Sequence, residues 1–436
     1  MILYEPMKIR FLIFLLIFLS GCEETPTAEI SQVKCDADNG GLTLPEGFCA
    51  LVVADHISFL RHIVVTESGD IYGSRRNRRL KLGGLVAIRD LDGDGKADRV
   101  EEFGDEPALG IAVHNNFLYF GANKRILRHR LDETKLLPHD TAEVVIDNFP
   151  DQKVHAGKTF AITPDGLIYV NVGSPSNACQ REELAVGSPG LTPCPQLVQQ
   201  AAIWRFDTQY TNQDFATDGV KYASGIRNTY AISWNSLNET LYAVQHGRDG
   251  LHDLWPDIYE AQQGAELPAE EFLKIEQDDK FSWPYCYYDP NKNQNVLAPE
   301  YGGDGQQSGI CSDYKDPIFA FPAHYSPNDL TFYSGQQFPL QYQNGAFIAF
   351  HGSYNRGPFE QVGYQVVYVP FKDGLPTGNS QVFADGFSGA DAIKAPEDAE
   401  FRPVGLAQGP DGSLYIADSV QGRIWRVMHQ KQEISE

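Results

Sequence analysis

Short runs of alternating apolar and polar residues recur along the chain, each broken by Gly, Asn, Asp or Pro. Tyr230–Trp234 and Thr240–Gln245 are two such runs, rich in aromatic and branched residues, with Asn235-Ser236-Leu237-Asn238 between them. Period-two alternation predicts half-buried strands, and the Asn/Ser break predicts a hairpin. The same unit of strand, turn and aromatic strand returns elsewhere. It is seen at Glu67-Ser68-Gly69-Asp70-Ile71-Tyr72, His114-Asn115-Asn116-Phe117-Leu118-Tyr119 and Thr163-Pro164-Asp165-Gly166-Leu167-Ile168-Tyr169. It returns at Tyr342-Gln343-Asn344-Gly345-Ala346-Phe347 and at Gly409-Pro410-Asp411-Gly412-Ser413-Leu414-Tyr415. Several units add a further strand, as in Ala202-Ile203-Trp204-Arg205 and Arg423-Ile424-Trp425-Arg426. With the hairpin first described, this makes six irregular repeats. They predict an all-β fold, a six-bladed β-propeller over residues 41–430. Their spacing is too long and uneven for a β-helix. The loop-rich stretch of about 254–329 reads as an excursion above the ring.

A different pattern opens the chain. Met7-Lys8-Ile9-Arg10 is basic, Phe11 to Leu19 is continuously apolar, and Leu19-Ser20-Gly21-Cys22 follows. The apolar run is too short to span a bilayer as a helix and has the form of an export signal. The junction resembles a bacterial lipobox. Residues 1–21 would then be a signal peptide, Cys22 the lipidated first mature residue, and 22–40 a linker. Glu23, rather than Asp, after Cys22 points to an outer-membrane anchor in the cell envelope, facing the periplasm or the surface. The membrane would be a partner only through that lipid.

Export changes how the cysteines are read. Six remain after Cys22, in three close couples: Cys35 with Cys49, Cys179 with Cys194, and Cys286 with Cys311. An oxidising compartment favours disulfides, and local pairing is the expectation. No couple has the Cys-x-x-Cys spacing of a metal site. The chain of 436 residues carries a net charge of −23. That excludes nucleic acid, whose phosphates require a basic surface, and permits steering of a basic protein partner.

Chemistry-bearing residues sit just before or after the repeated strands. His155 precedes the strand at Phe160, Arg227 and Asn228 precede that at Tyr230, and Arg402 precedes Val404. His246-Gly247-Arg248-Asp249 follows one aromatic strand, and His351 with Asn355 and Arg356 follows another. A hairpin brings its outer ends together, and a propeller gathers equivalent ends around one mouth of its channel. Imidazole and several guanidiniums in one funnel suit an anionic ligand and a general base.

These pieces in this order resemble the soluble sugar dehydrogenases that use pyrroloquinoline quinone (PQQ), the group of L-sorbosone and soluble glucose dehydrogenases. The resemblance rests on His155 before Lys158-Thr159, on Val172-Gly173-Ser174 with Asn177-Ala178-Cys179, on Gly225-Ile226-Arg227-Asn228 and on His246-Gly247-Arg248-Asp249. Ser282-Trp283-Pro284-Tyr285-Cys286, His351-Gly352-Ser353-Tyr354-Asn355-Arg356 and Arg402-Pro403-Val404-Gly405 complete it. One departure is Pro175-Ser176, where many relatives carry an extra Cys. The resemblance implies oxidation of a sugar or aldose-type aldehyde, with hydride passing to C5 of the quinone and electrons on to a cytochrome c or a quinone. It implies His155 as general base with Arg227 beside it at the catalytic centre. It implies cofactor contacts from Arg227, Asn228, His351, Arg356, Arg402 and Lys158. A Ca²⁺ at the quinone would be held by the backbone carbonyls of Gly247 and Arg248, hard oxygen donors for a hard cation.

Asp90-Leu91-Asp92-Gly93-Asp94-Gly95-Lys96-Ala97-Asp98 is a second calcium candidate. Asp90, Asp92, Asp94, Lys96, Asp98 and Glu101 fall at the ligand positions of an EF-hand loop. A solvated acidic turn is the alternative reading, and any ion here would be structural. Two other functions stay open. A propeller lactonase would hold calcium with acidic side chains in the channel, whereas this chain puts His and Arg at those points. A carbohydrate-binding lipoprotein without catalysis would need neither His155 nor the arginines.

Overall fold

The computed structural model describes residues 33–430, Arg78 and Asp391 excepted, together with Met1. The signal segment and Cys22 lie outside the described residues. Six sheets, antiparallel apart from a short parallel outer strand in two of them, follow one another around a ring. Their innermost strands are Leu60–Val65, Ile111–His114, Phe160–Ile162, Ala231–Asn235, Pro327–Phe332 and Pro403–Gln408. The repeats read from the sequence are the inner hairpins of these blades. In the fourth, Ala231–Asn235 pairs with Thr240–Gln245, and Asn235 Oδ1 accepts from the Leu237 N–H at 3.0 Å to form the turn. Side-chain capping of this kind is what Asn contributes to a tight turn.

The ring closes by a strand borrowed from the start of the domain. Phe48–Ala54 pairs antiparallel with Ile424–His429 and forms the outer strand of the sixth blade. Closure leaves no long open edge at the seam between first and last blades. The seam also packs tightly. Leu51, Ile63, Val86, Val404 and Ile424 share one cluster, each at most 4% exposed. Burial of such side chains contributes about 1.5–3 kcal/mol each.

The stretch 254–329 is only partly an excursion. Glu270–Ile275 and Phe319–Phe321 complete the fourth blade as its third and fourth strands. Around them, a small hairpin of Cys286–Asp289 with Gln294–Leu297 and two short helices stand apart from the blade. Cysteines pair 35–49, 179–194 and 286–311, the local pairing expected.

Every chain segment entering an inner strand, or leaving the strand next to it, opens on the same face of the ring. The inner hairpin turns open on the other.

Candidate active site

A cavity of about 590 Å³ occupies that face over the end of the channel. The channel itself is lined by all six inner strands, and Tyr230 borders both spaces. The cavity is therefore the mouth of the ring.

His155 stands on the turn that leads into Phe160–Ile162. Its φ is 50°, a left-handed conformation that a non-glycine residue adopts only when its surroundings hold it there. Gln152 supplies that hold. Its side-chain amide donates to the carbonyls of Val154 at 2.9 Å and of His155 and Gly173 at 3.0 Å. His155 Nδ1 lies 2.8 Å from the Ser174 carbonyl. A carbonyl only accepts, so the proton sits on Nδ1 and Nε2 is the basic nitrogen. Gly173 makes this approach feasible. A Cβ there would stand 2.5 Å from Asn228 Oδ1 and 2.7 Å from His155 Cβ.

Arg227 is 5% exposed and reaches into the cavity. Its guanidinium donates to Asp249 at 2.8 Å, to Asn177 Oδ1 at 3.0 Å and to the Asn177 carbonyl at 3.2 Å. The two polar clusters of the fourth blade thus meet, as a hairpin requires; the His246 N–H also donates to the Asn228 carbonyl. Arg402 lines the cavity and donates to the carbonyls of His351 at 2.8 Å and Gly352 at 2.6 Å.

Two of the imidazoles at the mouth, His246 and His351, are held neutral. Burial pushes His246 down to about 4, and its Nε2 donates to the Pro327 carbonyl at 2.7 Å. Burial and the neighbouring Arg402 keep His351 well below the usual histidine range, with Nε2 2.7 Å from Ser419 Oγ. These two therefore add no positive charge to the guanidiniums at the mouth. Arg61, absent from the sequence-based candidates, lines the cavity with them; burial lowers it only to about 10, so it stays charged at neutral pH.

Carboxyl groups line the mouth too. Glu270 is 2% exposed, and accepts from the backbone N–H of Gly247 at 2.8 Å and of Ser326 at 3.1 Å. Burial raises it to about 8. Three buried polar atoms of lining residues lack a partner: Arg61 Nε, Asn328 Oδ1 and Asn355 Oδ1. An unmet donor and two unmet acceptors in one cavity are costly unless a ligand meets them.

Of the residues expected at the site, His155, Arg227, Gly247, His351 and Arg402 border the mouth. Asn228 is fully buried behind it, its Oδ1 accepting from Asn171 at 3.1 Å. Lys158 is also fully buried, and its Nζ donates to the Ala156 carbonyl at 2.7 Å. Arg356 lies outside the lining and donates to the carbonyls of Ala265 and Glu360. The Arg248 side chain turns away and pairs with Glu300 in the excursion. Arg61, Arg76, Glu270 and Asn328 escaped the sequence reading. Arg61 had a signal, since it stands at the start of the first inner strand as Arg402 stands before the last. Glu270 had none, because it opens a third strand inside a stretch read as loop.

The acidic turn is remote from the mouth. Asp90, Asp92 and Asp98 each place an oxygen within 4.8 Å of the others. Glu101 instead lies on Arg99–Phe103 and pairs with Arg99, while Lys96 pairs with Asp36 at 3.1 Å. Asp94 accepts from the Lys96 N–H at 2.7 Å.

Several known proteins are similar to this chain. A PQQ-dependent sugar dehydrogenase of Hypocrea jecorina is 26% identical over 220 residues, 46% of each chain. An uncharacterised protein of Borreliella burgdorferi is 29% identical over 212 residues, 48% of each. The chain spans about half the length of these curated relatives. The calcium structure of the Trichoderma reesei family AA12 carbohydrate-active enzyme shares the fold, with a TM-score of 0.72 at 19% identity over 91% of this chain and 98% of that one. The holo PQQ domain of Coprinopsis cinerea pyranose dehydrogenase gives 0.69 at 19% identity, covering 89% and 97%. The TrAA12-like family model matches residues 42–430, nearly the whole propeller, so the chain belongs to the TrAA12-like family.

Proposed function

We propose that this chain is a PQQ-dependent dehydrogenase that oxidises a sugar or aldose-type aldehyde at the mouth of the propeller. One observation carries the reading: His155, fixed with its proton on Nδ1, shares a cavity with the guanidiniums of Arg61, Arg227 and Arg402.

The residues present fit the cofactor. PQQ is a planar tricarboxylate, and a guanidinium meets a carboxylate with two parallel hydrogen bonds. Arg61, with its unmet Nε, Arg227 and Arg402 would hold it. A Ca²⁺ beside it would draw on the Gly247 and Arg248 carbonyls, with Glu270 and the unmet Asn328 and Asn355 oxygens as further oxygen donors. When bound, the quinone supplies a two-electron acceptor and the cation a Lewis acid that polarises it.

His155 Nε2 then takes the proton of the substrate hydroxyl as the carbon gives up its hydride. The imidazolium that forms keeps its Nδ1–H bond to the Ser174 carbonyl, which stabilises the charge. Gln152 keeps the ring aimed. Asn177, two residues before the disulfide-bonded Cys179, orients Arg227. Electrons leave to an external acceptor, a cytochrome c or a quinone, and the acidic surface favours a basic protein. The chain would work in the cell envelope, anchored through lipidated Cys22.

The test is reconstitution with PQQ and Ca²⁺ followed by dye reduction on a panel of aldoses and aldosones. Turnover should appear only with both, and His155→Gln should lower it about 10²–10⁴-fold while leaving quinone affinity intact. No quinone binding by the wild type would end the proposal. Near-normal turnover in the loaded variant would remove His155 from the role of base.

A further inference from the structure

Five of the chain's 35 lysines and arginines fall within residues 75–81: Arg75, Arg76, Arg78, Arg79 and Lys81. Of these, Arg75, Arg76, Arg79 and Lys81 are described, around the turn between Ile71–Asn77 and Leu82–Arg89 of the first blade. In a chain of net charge −23 this is a local reversal of sign, and it stands at the rim of the mouth. Arg75 serves the blade itself. It is buried, donates to the Ser58 carbonyl at 2.9 Å and pairs with Glu102 at 2.7 Å.

Arg76 and Arg79 instead line the cavity. Arg76 is half-buried and donates to a neutral partner, Asn123 Oδ1, at 3.0 Å. Among the described residues, no carboxylate lies within ion-pair distance of either. Arg76 also lies against the turn that carries His155. A Cβ on Gly157 would stand 3.3 Å from its guanidinium carbon. Gly157 is two residues from His155, a span of at most about 7 Å, the scale of one pyranose ring.

The three guanidiniums assigned to the quinone already match its three carboxylates. The positive charge of Arg76 and Arg79 is surplus to that group, and Arg76 lies on the His155 side of the mouth. Resting on the quinoprotein reading above, we propose that this rim selects an anionic aldose, an aldopyranose bearing a carboxylate or a phosphate. Arg76 and Arg79 hold the anionic group across the ring from the anomeric hydroxyl whose proton His155 takes. A focused positive field at the mouth of an acidic protein also raises the local concentration of such a substrate.

The test compares glucose, glucuronate and glucose 6-phosphate on the PQQ- and Ca²⁺-loaded protein. At least one anionic sugar should exceed glucose in kcat/KM by about tenfold, and the advantage should shrink with salt. Arg76→Gln should cut that anionic-to-neutral ratio about tenfold, and Arg79→Gln should cut it by less because Arg79 is exposed. The exposed Arg79 keeps the test intact if the Arg76 variant does not fold. Glucose used as well as both anionic sugars would overturn the proposal. So would a ratio unchanged in Arg76→Gln while quinone affinity falls, which would assign Arg76 to the cofactor. Calorimetric titration of glucuronate and of glucose 6-phosphate, each with and without quinone, separates this from failure of the parent reading. If no sugar reduces dye, saturable glucuronate binding that weakens in either variant still supports anion capture. Absence of glucuronate and glucose 6-phosphate binding in both titrations overturns it.

Discussion

Arg227→Ala tests the centre of the site in two ways at once. The change removes three hydrogen bonds from a guanidinium that is 5% exposed. Breaking a fully buried ion pair costs about 3–5 kcal/mol, because a charge is stranded without its partner. Asp249 is less stranded than that. Its side chain is 32% exposed, and Asn355 still donates to it. The expected destabilisation is therefore about 2–3 kcal/mol. The Arg227→Ala/Asp249→Ala double variant should lose less than the sum of the singles, with a coupling energy of about 1–2 kcal/mol. The assay is chemical denaturation of the four proteins of the cycle. Quinone titration of the same proteins reads the second effect, a fall in affinity of about tenfold or more in Arg227→Ala. Arg227→Lys should recover only part of both losses, since lysine is a point charge without the planar fork. Strictly additive single variants would show that the pair contributes nothing. Unchanged quinone affinity would remove Arg227 from the cofactor.

Three further outcomes are expected. Burial lowers Lys158 from the usual 10.5 to about 7, so between these values the unfolded chain binds more protons than the folded one and stability rises with pH; Lys158→Met should flatten that rise in pH-dependent denaturation. Gly225 has φ +78°, and a Cβ there would meet the Phe281 carbonyl oxygen at 2.0 Å; Gly225→Ala should displace the Arg227 segment and destabilise the protein by about 2–4 kcal/mol, read by thermal unfolding and quinone titration. Cys22→Ser should move the protein from the membrane to the soluble envelope fraction, and a wild type already soluble would refute the lipid anchor.

Much of the architecture is local and so was legible in the chain. Alternation over Thr240–Gln245 and an Asn-rich break specify a hairpin because period and turn chemistry act between neighbours. Six such hairpins specify a ring because none can bury its faces alone. Equivalent positions at the ends of those strands then identify one mouth, which is why His155, Arg227, His351 and Arg402 were found together. The tertiary structure decided what neighbours cannot. The outer strand of the last blade is Phe48–Ala54, a pairing across nearly the whole domain. Glu270–Ile275 returns from a loop-rich excursion to complete a blade, and brings Glu270 to the mouth with no periodic signal. Asn228 and Lys158 stand within three residues of cavity groups yet point into the packing. Both lie in the irregular segments that lead into Phe160–Ile162 and Ala231–Asn235, where no fixed period tells which side chain faces the cavity and which supports it from behind. Sequence carries the residue types and their local period; only closure of the ring determines which of them face the same empty space.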